Sequence, residues 1–325
     1  MHNIAFLPAS ASPDAKLIIA TRGVRAFVDG IAYVVLPAFL LHLGFSGVQV
    51  GAVVTASLLG SAALTLAVGV TAHRFSIERL LAYSSWLMVV TGIAFGLSTP
   101  FIVLLIVAAI GTMNPSAGDV SVFLPLEQAR LAESALPDAR TALFARYSLI
   151  GAFSAAIGAL AAALPGWLAT HSGLSFLAAM RAMFFVYALI GVALWVLYAR
   201  LPLHQPQSGG AATPLGPSRG IVIKLAALFS VDAFAGGLIV NTLLALWLFE
   251  RFDLSLAAAG QFFFWAGLLS AGSQLAAPWV ARHIGLINTM VFTHIPANLC
   301  VVAAAFAPTL PIVLGLLVVR SALSS

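Results

Sequence analysis

Residues 22–40 read RGVRAFVDGIAYVVLPAFL and carry Arg22, Arg25 and Asp29 into a stretch otherwise apolar enough to enter a lipid bilayer. On a helix Arg25 and Asp29 share one face, about 6 Å apart along the axis. A charge inside a membrane costs about 2.5–3.5 kcal/mol on insertion scales, so each one needs a reason. A carboxylate one turn from a guanidinium suits two tasks: a gate held by an ion pair, or a step in proton transfer. The plainer reading is a local pair near the interface, with Arg25 reaching back to water.

Other polar residues sit in apolar runs in the same way: Asn114, Asp119, Asp232, Asn241 and Arg320. All are candidates for substrate binding or coupling. Counting 1.5 Å per residue puts Arg320 ~17 Å into its helix, near the middle of a ~30 Å hydrocarbon core. Asn114 precedes Pro115, which predicts a kink with the Asn amide bonding the freed carbonyl. Asp119 also suits a structural pairing with loop arginines, and Asp232 an ion pair at the inner mouth. The histidines, at 2, 42, 73, 171, 204, 283 and 294, lack metal-ligand spacing, and Cys300 is the single cysteine. Neither a metal site nor a cofactor is expected, and no Ser-His-Asp set or HExxH motif supports a membrane enzyme.

These residues need long apolar helices to hold them. Hydrophobic residues make up 62% of the chain and charged residues 8%, against about 25% charge in a soluble domain. Mean hydropathy is +1.07. The pattern predicts an all-α integral membrane protein with helices at 14–43, 47–71, 78–98, 100–128, 141–168, 175–200, 219–249, 254–281 and 285–306, and a tenth from 309. Ser12-Pro13 predicts the first cap, with Ser at N-cap and Pro at N1. Pro137-Asp138 is expected to open the fifth helix in the same manner.

With a cytoplasmic N-terminus, twelve Lys and Arg fall on inside segments and two, Arg181 and Arg251, on outside ends. That bias predicts a multi-pass protein of the cytoplasmic (inner) membrane. The net charge of +5 is spread too thinly for nucleic acid. Residues 201–218, LPLHQPQSGGAATPLGPS, read as a cytoplasmic linker. It separates a six-helix bundle, 1–200, from an incomplete second bundle, 219–325. The halves repeat: RAFVDG (25–30) and DAFAGG (232–237), LGFSGVQVG (43–51) and FDLSLAAAG (252–260), AHRFSIERLL (72–81) and ARHIGLINTM (281–290), TPFIVLL (99–105) and TLPIVLG (309–315). The offsets, 232−25, 252−43, 281−72 and 309−99, are 207, 209, 209 and 210. Repeated bundles of this kind are a transporter architecture.

The loop between the second and third helices resembles the best-known motif of the major facilitator superfamily, roughly Gly-x-x-x-Asp-Arg-x-Gly-Arg-Arg. Gly69, Arg74 and Arg79 fit it; His73 replaces the Asp and Ser76 the second Gly. The resemblance implies a gating loop in which Glu78 stands in for the lost acid. Its second copy lies around Arg282 and Gly285. The segment 123–147 resembles the connection between helices four and five in bacterial members. The family plan has twelve helices, with the first, fourth, seventh and tenth lining a central cavity. The polar candidates above fall on those four. The implied function is secondary transport of a small molecule by alternating access, driven by a proton gradient or by the substrate's own, with efflux as the default and uptake of a sugar, metabolite or siderophore left open. The implied partners are that substrate, protons and the bilayer. Because the chain stops within its tenth helix, the resemblance also implies truncation, with a non-transporting fragment as the alternative.

Overall fold

A computed structural model describes the whole chain except residues 1–11, 72–73, 117–120, 135–136, 203–218, 238 and 324–325. The regular structure among the described residues is all helical, and seven of the helices are long and apolar enough to cross a membrane.

The first half comprises α1 (Pro13–His42), α2 (Gly47–Thr71), α3 (Ile77–Leu97), α4 (Phe101–Ile110), α5 (Phe123–Glu133), α6 (Pro137–Ala161), α7 (Leu164–His171) and α8 (Phe176–Tyr198). Helix α1 starts as the sequence predicts: the Ser12 side chain accepts from Ala15 N–H at 3.2 Å, and Pro13 occupies N1. It is the central element, packed against α6, α8 and α10. Small residues let it approach α6. A Cβ at Gly30 would lie 2.2 Å from the Ala155 carbonyl oxygen, and one at Gly158 would lie 1.9 Å from that of Phe27. Where lipid tails are as apolar as leucine, such close backbone packing is what holds helices together.

The second half comprises α9 (Arg219–Gly237), α10 (Asn241–Phe252), α11 (Leu256–Ile284), α12 (Leu286–Phe306) and α13 (Leu310–Leu323). The repeat is visible in its starts. Gly47 and Leu256, Ile77 and Leu286, and Phe101 and Leu310 open matching helices, each pair 209 residues apart. The turns match as well: Gly44 (φ +87°) and Asp253 (φ +48°), again 209 apart, both take left-handed backbone.

Three helices expected to be continuous are broken. The fourth, expected over 100–128, ends at Ile110 and resumes at Phe123. The seventh, expected over 219–249, stops at Gly237 and resumes at Asn241. The fifth, expected over 141–168, is split into α6 and α7 at Ala162-Ala163. Hydropathy sums report an apolar path and are blind to whether the backbone along it stays wound. The expected linker lies almost wholly outside the described residues.

The halves meet at one end. There α10 packs on α1 and α2, and the rings of Tyr33 and Phe263 meet edge-on at 5.3 Å. Gly260 and Gly267 of α11 bring it close to Ala159 and Ala156 of α6. At the opposite end, which carries Lys16, Arg22, Arg130 and Arg219, the described side chains of α9 from Arg219 to Leu228 are all exposed.

Candidate functional site

Helix α5 buries Phe123, Leu126, Glu127, Arg130 and Leu131, one face at helical spacing. Two of the five are charged, and each anchors a network at the basic end.

Glu127 is fully buried. Arg25 Nη2 donates to its Oε2 at 2.7 Å; Tyr147 donates to the same oxygen and Tyr198 to Oε1. One carboxylate thus receives donors from α1, α6 and α8. Asp29 is the second acid on Arg25, and a weaker one, at 3.5 Å. The Arg25 guanidinium also lies 4.8 Å from the Phe123 ring centroid, and that of Arg22 lies 5.3 Å from the ring centroid of Tyr147. Charge-assisted bonds of this kind, removed from water, are the strong ones, and breaking such a pair costs about 3–5 kcal/mol. The arrangement fixes Glu127 and leaves Asp29 the more loosely held carboxylate.

Arg130 anchors the other network. It pairs with Asp14 at 2.6 Å, Glu133 at 3.2 Å and Glu78 at 3.4 Å, tying α1 and α3 to α5. Glu78, expected to serve the gating loop, is therefore bound within its own half. Arg74, Arg79 and Arg282 are exposed, as is Gly69 near the end of α2. Gly285 takes φ +85° and separates α11 from α12, a conformation that favours glycine. His73 lies outside the described residues.

The third feature is the break in the fourth helix. Its backbone groups find partners far along the chain: Thr112 N–H donates to Thr91 Oγ1 at 3.3 Å, and Tyr187 donates to the Thr112 carbonyl at 3.0 Å. The Pro115 carbonyl accepts twice from the second half, from Thr242 N–H at 3.2 Å and Thr242 Oγ1 at 3.0 Å. Asn114 is buried, but its Oδ1 accepts from Ser116 N–H and Oγ, both at 2.9 Å. It closes a turn onto Ser116, two residues on, and caps no freed carbonyl, because Pro115 and Ser116 are not helical. Asn241 opens α10 beside Thr242 and is half-buried. Arg320 is half-buried on α13 and makes no ion pair among the described residues. Asp119 lies outside the described residues. Asp232 is on α9, and its side chain is not among those described.

The structure thus joins Arg25 and Asp29 as expected and adds Glu127, Tyr147, Tyr198 and Thr242, which sequence reading missed. Glu127 and Arg130 could have been found by laying 123–131 on a helical wheel. Thr242 carries no such signal, since its partner is 127 residues away. Among the described residues no cluster of three or more His, Cys, Asp or Glu could hold a metal ion.

Comparison with known proteins places the fold. The chain is 23% identical to the uncharacterized membrane protein YJR124C of Saccharomyces cerevisiae, over 89% of this chain and 72% of that protein. The fold is similar to the crystal structure of the nucleoside transporter NupG (TM-score 0.68, 15% identity, 96% of this chain and 78% of that one). It is also similar to the D-xylose-proton symporter (TM-score 0.62, 17% identity, 95% and 79%). A third likeness is to a bacterial homologue of the lysosomal transporter Spinster, solved inward-facing and occupied (TM-score 0.64, 16% identity, 95% and 70%). A sequence profile of the Major Facilitator Superfamily matches residues 18–324. With nearly its whole length matched, the chain belongs to the Major Facilitator Superfamily of membrane transporters.

Proposed function

We propose that this chain carries a small molecule across the cytoplasmic membrane by alternating access, its two halves rocking about a seam at mid-depth, and that the conformation here is the inward-open one. The observation that carries the reading is that, among the described residues, the halves pack together toward one end. Thr242 bridges to Pro115 and Tyr33 meets Phe263, while α9 stands exposed at the other end. The basic residues gather at that open end, which supports a cytoplasmic N-terminus. Broken helices near mid-depth are where transporters of this kind place their sites.

Within this reading the Arg25–Glu127 lock is a fixed part of the first half, and Asp29 is the group available for proton coupling. Asn114, Asn241 and Arg320 flank the seam and contribute to the path of the substrate. Asp119 and Asp232 belong to the same path. Arg74, Arg79 and Arg282 form the loops that meet when the basic end closes. A carrier of nucleosides or sugars is compatible with the likeness to NupG and the xylose symporter, and efflux equally so.

The test is labelling of Ser154→Cys, in a Cys300→Ser background, by a membrane-impermeant maleimide. Vesicles exposing the basic end should label several-fold faster than vesicles of the opposite orientation. Equal rates, or the reverse order, would overturn both the state and the orientation.

A further inference from the structure

The basic end holds two guanidinium groups that neither network uses. Arg22 is 6% exposed, and its Nε and Nη1 have no hydrogen-bond partner. It lies over the Tyr147 ring and feels the Asp29 carboxylate, but no described acid lies within ion-pair distance of it. It lies flat on α6: a Cβ at Gly151 would sit 2.4 Å from its Nε. Arg146, on α6 itself, is half-buried, has a buried Nη1 without a partner, and makes no ion pair among the described residues. Buried donors left open are costly, more so when charged. Their presence points to a counterpart that arrives from outside the chain.

Near them, though lined by neither, is a cavity of about 440 Å³ between α6 and α11. Ile150, Phe153 and Ser154 form one wall, Leu268 and Leu275 the other. The volume is in the range of small-molecule sites, and the lining is almost wholly apolar. Arg146 is one helical turn before Ile150, on the same side of α6. Arg22 rests on Gly151, the next residue, and its neighbour Gly23 abuts Ile150 and Ser154. Apolar walls and two guanidinium groups with open donors therefore meet at one level of α6. Of the two, Arg22 is near Asp29, whereas Arg146 has no described acid within ion-pair distance and is the cation left for an anion.

We propose that this cavity binds a molecule with an apolar body and one anionic group, a carboxylate or a phosphate ester. The body lies between α6 and α11, and the anion is held by Arg22 and Arg146. The proposal rests on the transport reading and names its substrate class, but it is tested by binding alone.

The experiment is calorimetric titration of the full chain in phosphatidylcholine nanodiscs. The probes are 2-naphthoate, naphthalene-2-carboxamide and 2-naphthylmethylammonium. Naphthoate should bind with Kd below about 1 mM and at least about tenfold more tightly than either other probe. Arg22→Gln and Arg146→Gln should each weaken it about tenfold, as expected for a lost charged hydrogen bond. Arg181→Gln, on α8, should not. Leu268→Trp, which leaves every charge in place, should abolish binding by filling the cavity. Replacing part of the phosphatidylcholine with phosphatidylglycerol reads the source: weakened naphthoate binding identifies a lipid headgroup as the natural anion, and unchanged binding a soluble one. The proposal is overturned if naphthoate fails to bind, if the carboxamide binds as well, or if both arginine variants match the native chain. Binding by a protein that carries nothing would sink the transport reading and keep the site; solute flux without naphthoate binding would do the reverse.

Discussion

Replacing Glu127 with Gln probes the buried network with almost no change in shape. In the native chain Glu127 only accepts: Arg25 and Tyr147 donate to Oε2, and Tyr198 donates to Oε1. A glutamine can keep its oxygen toward Arg25 and Tyr147 and turn its amide toward Tyr198, whose hydroxyl can accept instead. Geometry survives and charge is lost. Arg25, 1% exposed, then keeps only Asp29 at 3.5 Å as an anion. Removing one partner of a buried ion pair costs about 3–5 kcal/mol. At roughly 2–4 °C per kcal/mol for a chain of a few hundred residues, melting in detergent should fall by on the order of 10 °C. The double variant Arg25→Gln/Glu127→Gln should lose less than the sum of the two singles, by about 1–3 kcal/mol, because neither charge is then stranded. A Glu127→Gln protein that melts with the native one, or singles that add without coupling, would refute the assignment of Glu127 as the anchor of four helices.

Three smaller perturbations follow from the same contacts. Asp29→Asn removes the weaker partner of Arg25 and leaves Glu127, so its melting loss should be well under that of Glu127→Gln; the reverse order would show that the 3.5 Å pair dominates. Gly158→Ala sets a Cβ 1.9 Å from the Phe27 carbonyl oxygen, backbone against backbone, and should cost about 1–3 kcal/mol in melting, whereas Gly166→Ala, with nothing within 4 Å, should be neutral. Thr242→Val removes one of two hydrogen bonds to Pro115, about 1 kcal/mol, and should raise maleimide labelling of a cysteine on the closed side about fivefold.

Much of this was legible in the sequence, and the rest was not for identifiable reasons. The Ser12-Pro13 cap and the helix starts at 209-residue spacing are local signals of turn chemistry, and they recur in the structure. The pairing of Arg25 with Asp29 follows from four-residue spacing on one helix. Glu127 was hidden by its setting: it falls at the very end of the helix expected over 100–128, and its buried face shows only once α5 is recognised as a separate helix. The break after Ile110 was hidden by the opposite effect. FIVLLIVAAIGTM is apolar throughout, and the unwound backbone after it survives only because Thr91, Tyr187 and Thr242 supply partners from 21, 75 and 127 residues away. Hydropathy cannot anticipate such bonds, and they decide where the helix ends.

The account turns on two halves that part at one end as they meet at the other. Spin labels at Val48 and Arg251 report the closed end, and labels at Arg79 and Arg282 report the basic end; all four positions are exposed. Pulsed electron–electron distance measurements on the two pairs, in nanodiscs, should each show two populations. Any condition that lengthens the first distance should shorten the second. A single unchanging distribution at both ends, across pH and added 2-naphthoate, would contradict alternating access in this chain.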